Sequence, residues 1–333
     1  MTAPTTTHAP ATHAPTTRDP GTTTPVLSYS PVVLPAPGRP VPLSLRVTAP
    51  ETGHDLPVVL LSHGHGGAYD LASQDGYAPI AARWAAAGFV VVQPTHLSSR
   101  RLGHLWGTTP GAPMFWRSRA EDLIHVLDHL DEVERAVPLL AGRVDHDSVA
   151  VAGHSLGAFT AQLLLGAEVT DPDTGERVGY LEPRIKEGVL LAAPGRGGDA
   201  LTGPMADRVP VFRTLDLSTM VRPALVVAGD QDDSRHFTDV GPAWHRDPYH
   251  LAPGPKTLLT VFGAGHLLGG IQGYDAAESV ELSDDNPGHV AAIARLTAAY
   301  LRTRFRPGDD AWQRALDELT TGPGAIGTVE SKP

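Results

Sequence analysis

The sequence predicts an α/β fold, a mostly parallel central sheet with helices on both faces. Three observations predict it. Six short apolar runs recur along the chain, at 57–62, 89–93, 149–152, 188–193, 224–228 and 257–262. Segments of helical period lie between many of them. Several of the runs empty into turns rich in Gly, His or Asp. Unbroken apolar strands are buried on both faces, and crossover helices supply the cover.

Residues 1–25 read Thr/Ala/Pro/His, without the basic and apolar regions of a secretory signal. Low hydrophobicity and many prolines predict a disordered tail there. Val41–Thr48 alternates and predicts an early antiparallel strand. Pro57–Ser62 is the first buried strand and runs into His63-Gly-His-Gly-Gly67. Tyr77–Ala87 is a helix stopped by Gly88, and Phe89–Gln93 is a strand stopped by Pro94. Thr95–Pro113 is long and irregular, the kind of loop that is functional or disordered. Apolar residues at Leu123, Ile124, Leu127, Leu130 and Val133 predict a helix over 116–137.

Val149–Ala152 is a strand, and Ala158–Gly166 is a helix. A turn-rich excursion at 170–176 precedes the strand Gly188–Ala193. Residues 199–222 have no clear period and suit a cap segment. Ala224–Ala228 and Thr257–Phe262 are strands on either side of a second irregular stretch at 234–256. Asn286–Arg304 is an amphipathic helix, and Asp309–Leu319 a short one. The expected division is a tail at 1–25, one catalytic domain at 26–306, and a short helix with a flexible tail at 307–333.

The 333 residues are 41% hydrophobic, enough for a large core. A formal charge of −11 without a basic cluster argues against nucleic acid and anionic membrane surfaces as partners. The absence of Cys excludes disulfides, thiolate metal sites and a cysteine nucleophile. No apolar run approaches the roughly 18 residues that span a bilayer, so no stable membrane insertion is expected. The expected location is cytoplasmic.

Val149-Ala-Val-Ala-Gly-His-Ser-Leu-Gly-Ala158 organises the chain. It is G-x-S-x-G between a strand and a helix, a turn so tight that the flanking residues must be nearly free of side chain. The turn lifts the Ser155 hydroxyl and leaves the Leu156 N–H at a helix N-terminus, where it can hold an oxyanion. A serine nucleophile needs a base, and the base needs an orienting carboxylate. Reactive groups in parallel sheets gather at the carboxyl ends of strands. There stand Ser155, the acids after 224–228, and His266 after 257–262. Among the acids Asp232 is the expected partner of His266. Asp230 suits a strand-end turn, and Asp233 a cap or a solvated charge.

His63-Gly-His-Gly-Gly67 suits the loop that gives the second oxyanion donor, assigned to the His65 N–H. The imidazoles of His63 and His65 are expected to pack rather than bind metal. His125 and His129, i,i+4 on a helix, lack the H-E-x-x-H frame and are expected on a solvated face. Trp106, Phe115 and Trp116 are candidates for walls of a substrate pocket, with plain loop packing as the alternative. Glu121 and Asp122 are expected as surface charges.

Pro57-Val-Val-Leu-Leu-Ser-His-Gly-His-Gly-Gly67, Gly88-Phe-Val-Val-Val-Gln-Pro94, Gly153-His-Ser-Leu-Gly157 and Asp230-Gln-Asp-Asp233, with His266, resemble α/β-hydrolases. The subgroup is similar to chlorophyllase, dienelactone-hydrolase-like and platelet-activating-factor-acetylhydrolase-like esterases, over roughly 40–305. In the acetylhydrolase-like group S-H-G-x-G supplies an oxyanion N–H from x, which here is His65. The resemblance maps the nucleophile to Ser155 and the base to His266. Dienelactone hydrolases use a Cys nucleophile, which this chain lacks, and plant chlorophyllases carry Arg where Leu156 stands. The resemblance therefore implies ester hydrolysis without naming the ester.

The expected function is hydrolysis of a small-molecule carboxylic ester through an acyl-enzyme, with no cofactor and no metal. An acyltransferase with the same residues, a non-catalytic binding protein on the same fold and a metallohydrolase are the alternatives.

Overall fold

The computed structural model describes residues 24–66, 69–273, 285–321 and 326–333. Residues 1–23 of the Thr/Pro tail and Gly67 of the histidine-glycine loop lie outside the described residues. The strands are β1 (Val26–Leu34), β2 (Leu43–Pro50), β3 (Leu56–Ser62), β4 (Val90–Pro94) and β5 (Val144–His154). A small ribbon of β6 (Glu168–Thr170) and β7 (Arg177–Gly179) follows. Then come β8 (Ile185–Leu191), β9 (Ala224–Gly229), β10 (Lys256–Val261) and β11 (Gly327–Lys332). The main sheet has nine strands in the order β1-β2-β4-β3-β5-β8-β9-β10-β11. Its six central strands are parallel, while β1, β2 and β11 are antiparallel to their neighbours.

Along β3, Val58 and Leu60 enter one core while Val59 and Leu61 enter the other. Alternate side chains of a strand point to opposite faces, and both faces here are covered, which is why the run is apolar throughout. The first core is closed by α2 (Trp116–Asp128), α3 (Leu130–Ala136) and α4 (Leu156–Leu164). The second is closed by α1 (Ala78–Ala86), α6 (Pro287–Phe305) and α7 (Ala311–Thr321). A short α5 (Asp247–Leu251) precedes β10. Asn286 caps α6 by accepting from the N–H groups of Gly288 and His289.

Three expectations change. The helix over 116–137 is two helices, because the backbone at His129 leaves the helical region (φ −120°, ψ 24°). β1 was not expected; it carries Pro31 and a register shift between Tyr29 and Val32, which break the alternation that marks a strand. Gly327–Lys332, expected within a flexible tail, is a strand that pairs residue by residue with β10. No helix among the described residues is long and apolar enough to cross a membrane.

Candidate active site

Ser155 sits between β5 and α4 at φ 54°, ψ −117°. A non-glycine residue in such a region costs on the order of 1–3 kcal/mol and survives only where its surroundings fix it. Two glycines permit the turn. A Cβ on Gly153 would lie 2.1 Å from the Gly157 carbonyl oxygen, and one on Gly157 would lie 2.0 Å from the Ser62 carbonyl oxygen. The Ser155 N–H donates to the Leu191 carbonyl of β8, tying the turn to the next strand.

The loops after β5, β9 and β10 bring three side chains into line. The Ser155 hydroxyl donates to His266 Nε2 at 3.0 Å, and His266 Nδ1 donates to Asp232 Oδ2 at 2.8 Å. Asp232 is buried, and Ser234 donates to its other oxygen at 2.8 Å. Burial pushes the Asp232 carboxyl upward, but the His266 and His245 imidazoles outweigh it and hold the group well below the usual carboxylate range. Asp230 does not join them. It accepts from the Gly263 N–H, a turn contact, and Asp233 is half-exposed and paired with Arg235.

The loop after β3 is held from behind. The His63 carbonyl accepts from Arg119, and the next N–H, that of Gly64, donates to the Tyr77 hydroxyl at 3.0 Å. Both ends of one peptide unit are thereby fixed. The His65 N–H that follows has no hydrogen-bond partner among the described residues. Leu156 opens α4, where backbone N–H groups lack partners inside the helix. His65, Ser155, Leu156 and His266 all line one cleft of about 750 Å³.

Tyr77 also donates to His154 Nδ1 at 2.8 Å, and His154 Nε2 donates to the His266 carbonyl at 2.8 Å. A carbonyl can only accept, so the His154 tautomer is fixed. Burial, followed by the nearby His266, lowers the His154 pKa to about 3 and keeps the ring neutral. One imidazole thus joins the histidine-glycine loop, the serine turn and the His266 loop.

Arg119 is fully buried and also donates to Ser62, Ser98 and Thr160. Burial lowers its pKa to about 9. Asp122, expected at the surface, is buried instead, three residues along the same face of α2. It accepts from Arg39 at 3.0 Å and from His96 Nδ1 at 2.8 Å, and burial raises its pKa to about 6. Glu121 is exposed, as expected. His63 packs in the same cluster and accepts the His96 N–H at its Nε2, whereas the His65 ring is exposed and stacks on Trp106.

Apolar cleft walls come from Trp106, Met114, Met205, Phe212, Phe237 and Trp244. Phe115 and Trp116 are not among the lining residues. Phe115 turns inward at the left-handed entry to α2, and Trp116 packs edge-on against Tyr180. His125 and His129 direct ring N–H groups to the carbonyls of Pro35 and His125. Sequence inspection missed Tyr77, Arg119, His154 and His245. Only the His154 position, inside G-x-S-x-G, carried a local signal.

The arrangement can deprotonate a hydroxyl beside free backbone donors at the floor of an apolar cleft. No protein-family model matches the chain, and a search of curated proteins finds no match.

Proposed function

We propose that the chain is a serine hydrolase of carboxylic esters with an α/β-hydrolase type of site. The observation that carries this is the hydrogen-bonded line from Ser155 through His266 to Asp232, at the carboxyl ends of β5, β10 and β9. Ser155 Oγ attacks the ester carbonyl as its proton passes to His266 Nε2. Asp232 stabilises the imidazolium through Nδ1. The N–H groups of His65 and Leu156 receive the oxyanion. His266 then protonates the leaving alkoxide, and the acyl-enzyme is released when His266 takes a proton from water. The substrate class is a small-molecule ester with an apolar portion, in keeping with the aromatic and thioether walls of the cleft.

The test is turnover of a p-nitrophenyl ester series by wild type and Ser155→Ala. Wild type is expected to hydrolyse at least one member, and the variant to lose about 10⁴–10⁶ in kcat. Equal rates for the two proteins would sink the proposal. The chain length that wild type prefers measures the acyl pocket.

A further inference from the structure

We propose that Asp232, His245 and His266 form an inhibitory site for a divalent transition-metal ion of the zinc type, entered from the cleft. His245 has no part in the mechanism above. It is buried, and its Nε2 lies 3.1 Å from Asp232 Oδ2, the same oxygen that His266 Nδ1 meets at 2.8 Å. One nitrogen from each ring and this oxygen lie within 4.8 Å of one another.

Two imidazoles and one carboxylate suit zinc, which takes them at about 2.0–2.2 Å in a tetrahedron. That geometry separates ligand atoms by about 3.3 Å, so the carboxylate need part from the two rings by only a few tenths of an ångström, while the two ring nitrogens, within 4.8 Å of each other, close toward the same separation. The surrounding bonds already aim the ligands. His245 Nδ1 donates to the Ala193 carbonyl at 2.8 Å, which turns Nε2 toward the Ser234 hydroxyl at 2.8 Å and Asp232 Oδ2 at 3.1 Å, and a metal would take the place of the Ser234 contact. Metal-bound histidines characteristically donate their other ring N–H in this way. Ser234 holds Asp232 Oδ1, leaving Oδ2 for the metal. All three ligands line the cleft, so water can take the fourth position.

Occupancy would disable the base. A metal on His266 Nδ1 forces the ring proton onto Nε2. That nitrogen then faces Ser155 as a donor, with no lone pair to accept the hydroxyl proton. Any proton held between His245 and Asp232 leaves to solvent. The inhibition rests on the proposed serine mechanism, whereas the binding does not.

The test uses the full chain, zinc chloride, cobalt chloride and a p-nitrophenyl ester. Zinc is expected to stop wild-type hydrolysis, and a chelator to restore it. Cobalt is expected to bind Ser155→Ala, which keeps all three ligands, and to give the visible bands of four-coordinate cobalt without any turnover. His245→Asn keeps a donor for the Ala193 carbonyl and removes the ligand nitrogen. Outer-shell changes alone cost about 10–100-fold in metal affinity. Loss of a ligand should therefore raise the half-inhibiting zinc concentration by about 100-fold or more and abolish the bands. His245→Gln repeats the test with a different side chain, so one misfolded variant does not decide it. Zinc without effect on an active wild type, or cobalt bands and zinc sensitivity unchanged in both variants, overturns the site. A protein that gives the bands yet cleaves no ester keeps the metal site and overturns the esterase.

Discussion

Tyr77→Phe removes one oxygen from the middle of the candidate site and keeps the ring that packs beneath it. Two buried groups lose their partner, the Gly64 N–H at 3.0 Å and His154 Nδ1 at 2.8 Å. A buried polar group left unpaired costs about 1–3 kcal/mol, so with two such groups the variant should lose about 2–6 kcal/mol of stability. Catalysis should fall for a separate reason. A whole oxyanion donor contributes about 10²–10³ in kcat. On the proposed mechanism Tyr77 positions such a donor indirectly, and Arg119 still holds the other end of the same peptide unit. The expected loss is therefore smaller, about tenfold in kcat or ~1.4 kcal/mol. KM should stay within about twofold, because an interaction made in the transition state alone leaves ground-state binding untouched. Steady-state kinetics on a p-nitrophenyl ester and urea denaturation measure the two effects independently. Affinity for a trifluoromethyl ketone, which mimics the tetrahedral state, should fall with kcat. A variant that loses stability but keeps wild-type kcat would refute the reasoning and make Tyr77 a packing residue.

Asp232→Asn should lower kcat by about 10⁴ through the wrong His266 tautomer, while Asp230→Asn leaves it near wild type; equal losses in the two would reassign the acid. Lys256, buried with its ammonium on the carbonyls of Met220 and Pro253, has its pKa lowered by burial to about 8. Its folded pKa lies below the unfolded value of about 10.4, so the unfolded state binds more protons between the two, and this residue makes stability rise with pH across that window. Urea midpoints at pH 7.5 and 10 should show that rise in wild type relative to Lys256→Met; parallel behaviour of the two proteins would disprove it.

The central strands were legible because burial on both faces leaves an unbroken apolar run, as in Val58 to Leu61. Ser155, Asp232 and His266 were legible for a related reason, since each follows such a run directly. The supports behind them were not. Arg119 and Asp122 look like surface charges on α2 until tertiary packing turns that face inward against His63 and His96. Tyr77 reads as the start of a helix, and its hydroxyl acquires meaning only where β3 and β5 come side by side. His245 lies in a stretch without period, where neighbouring residues give no hint of the face it will occupy. β11 escaped notice because Gly327-Thr-Val-Glu-Ser-Lys332 is held by backbone pairing to β10 and has little apolar content of its own.

That pairing bears on how the chain can be shortened without self-association. The sequence invites a cut near residue 306, past α6. Such a cut would remove α7 from the second core and β11 from the sheet, and leave β10 with one unpaired side from Lys256 to Val261, six residues that are all buried in the intact protein. A newly exposed edge of that kind is a template for strands from other molecules. The shortened protein would be expected to aggregate while Ser155 and its neighbours are still correctly folded, so lost solubility would precede lost chemistry.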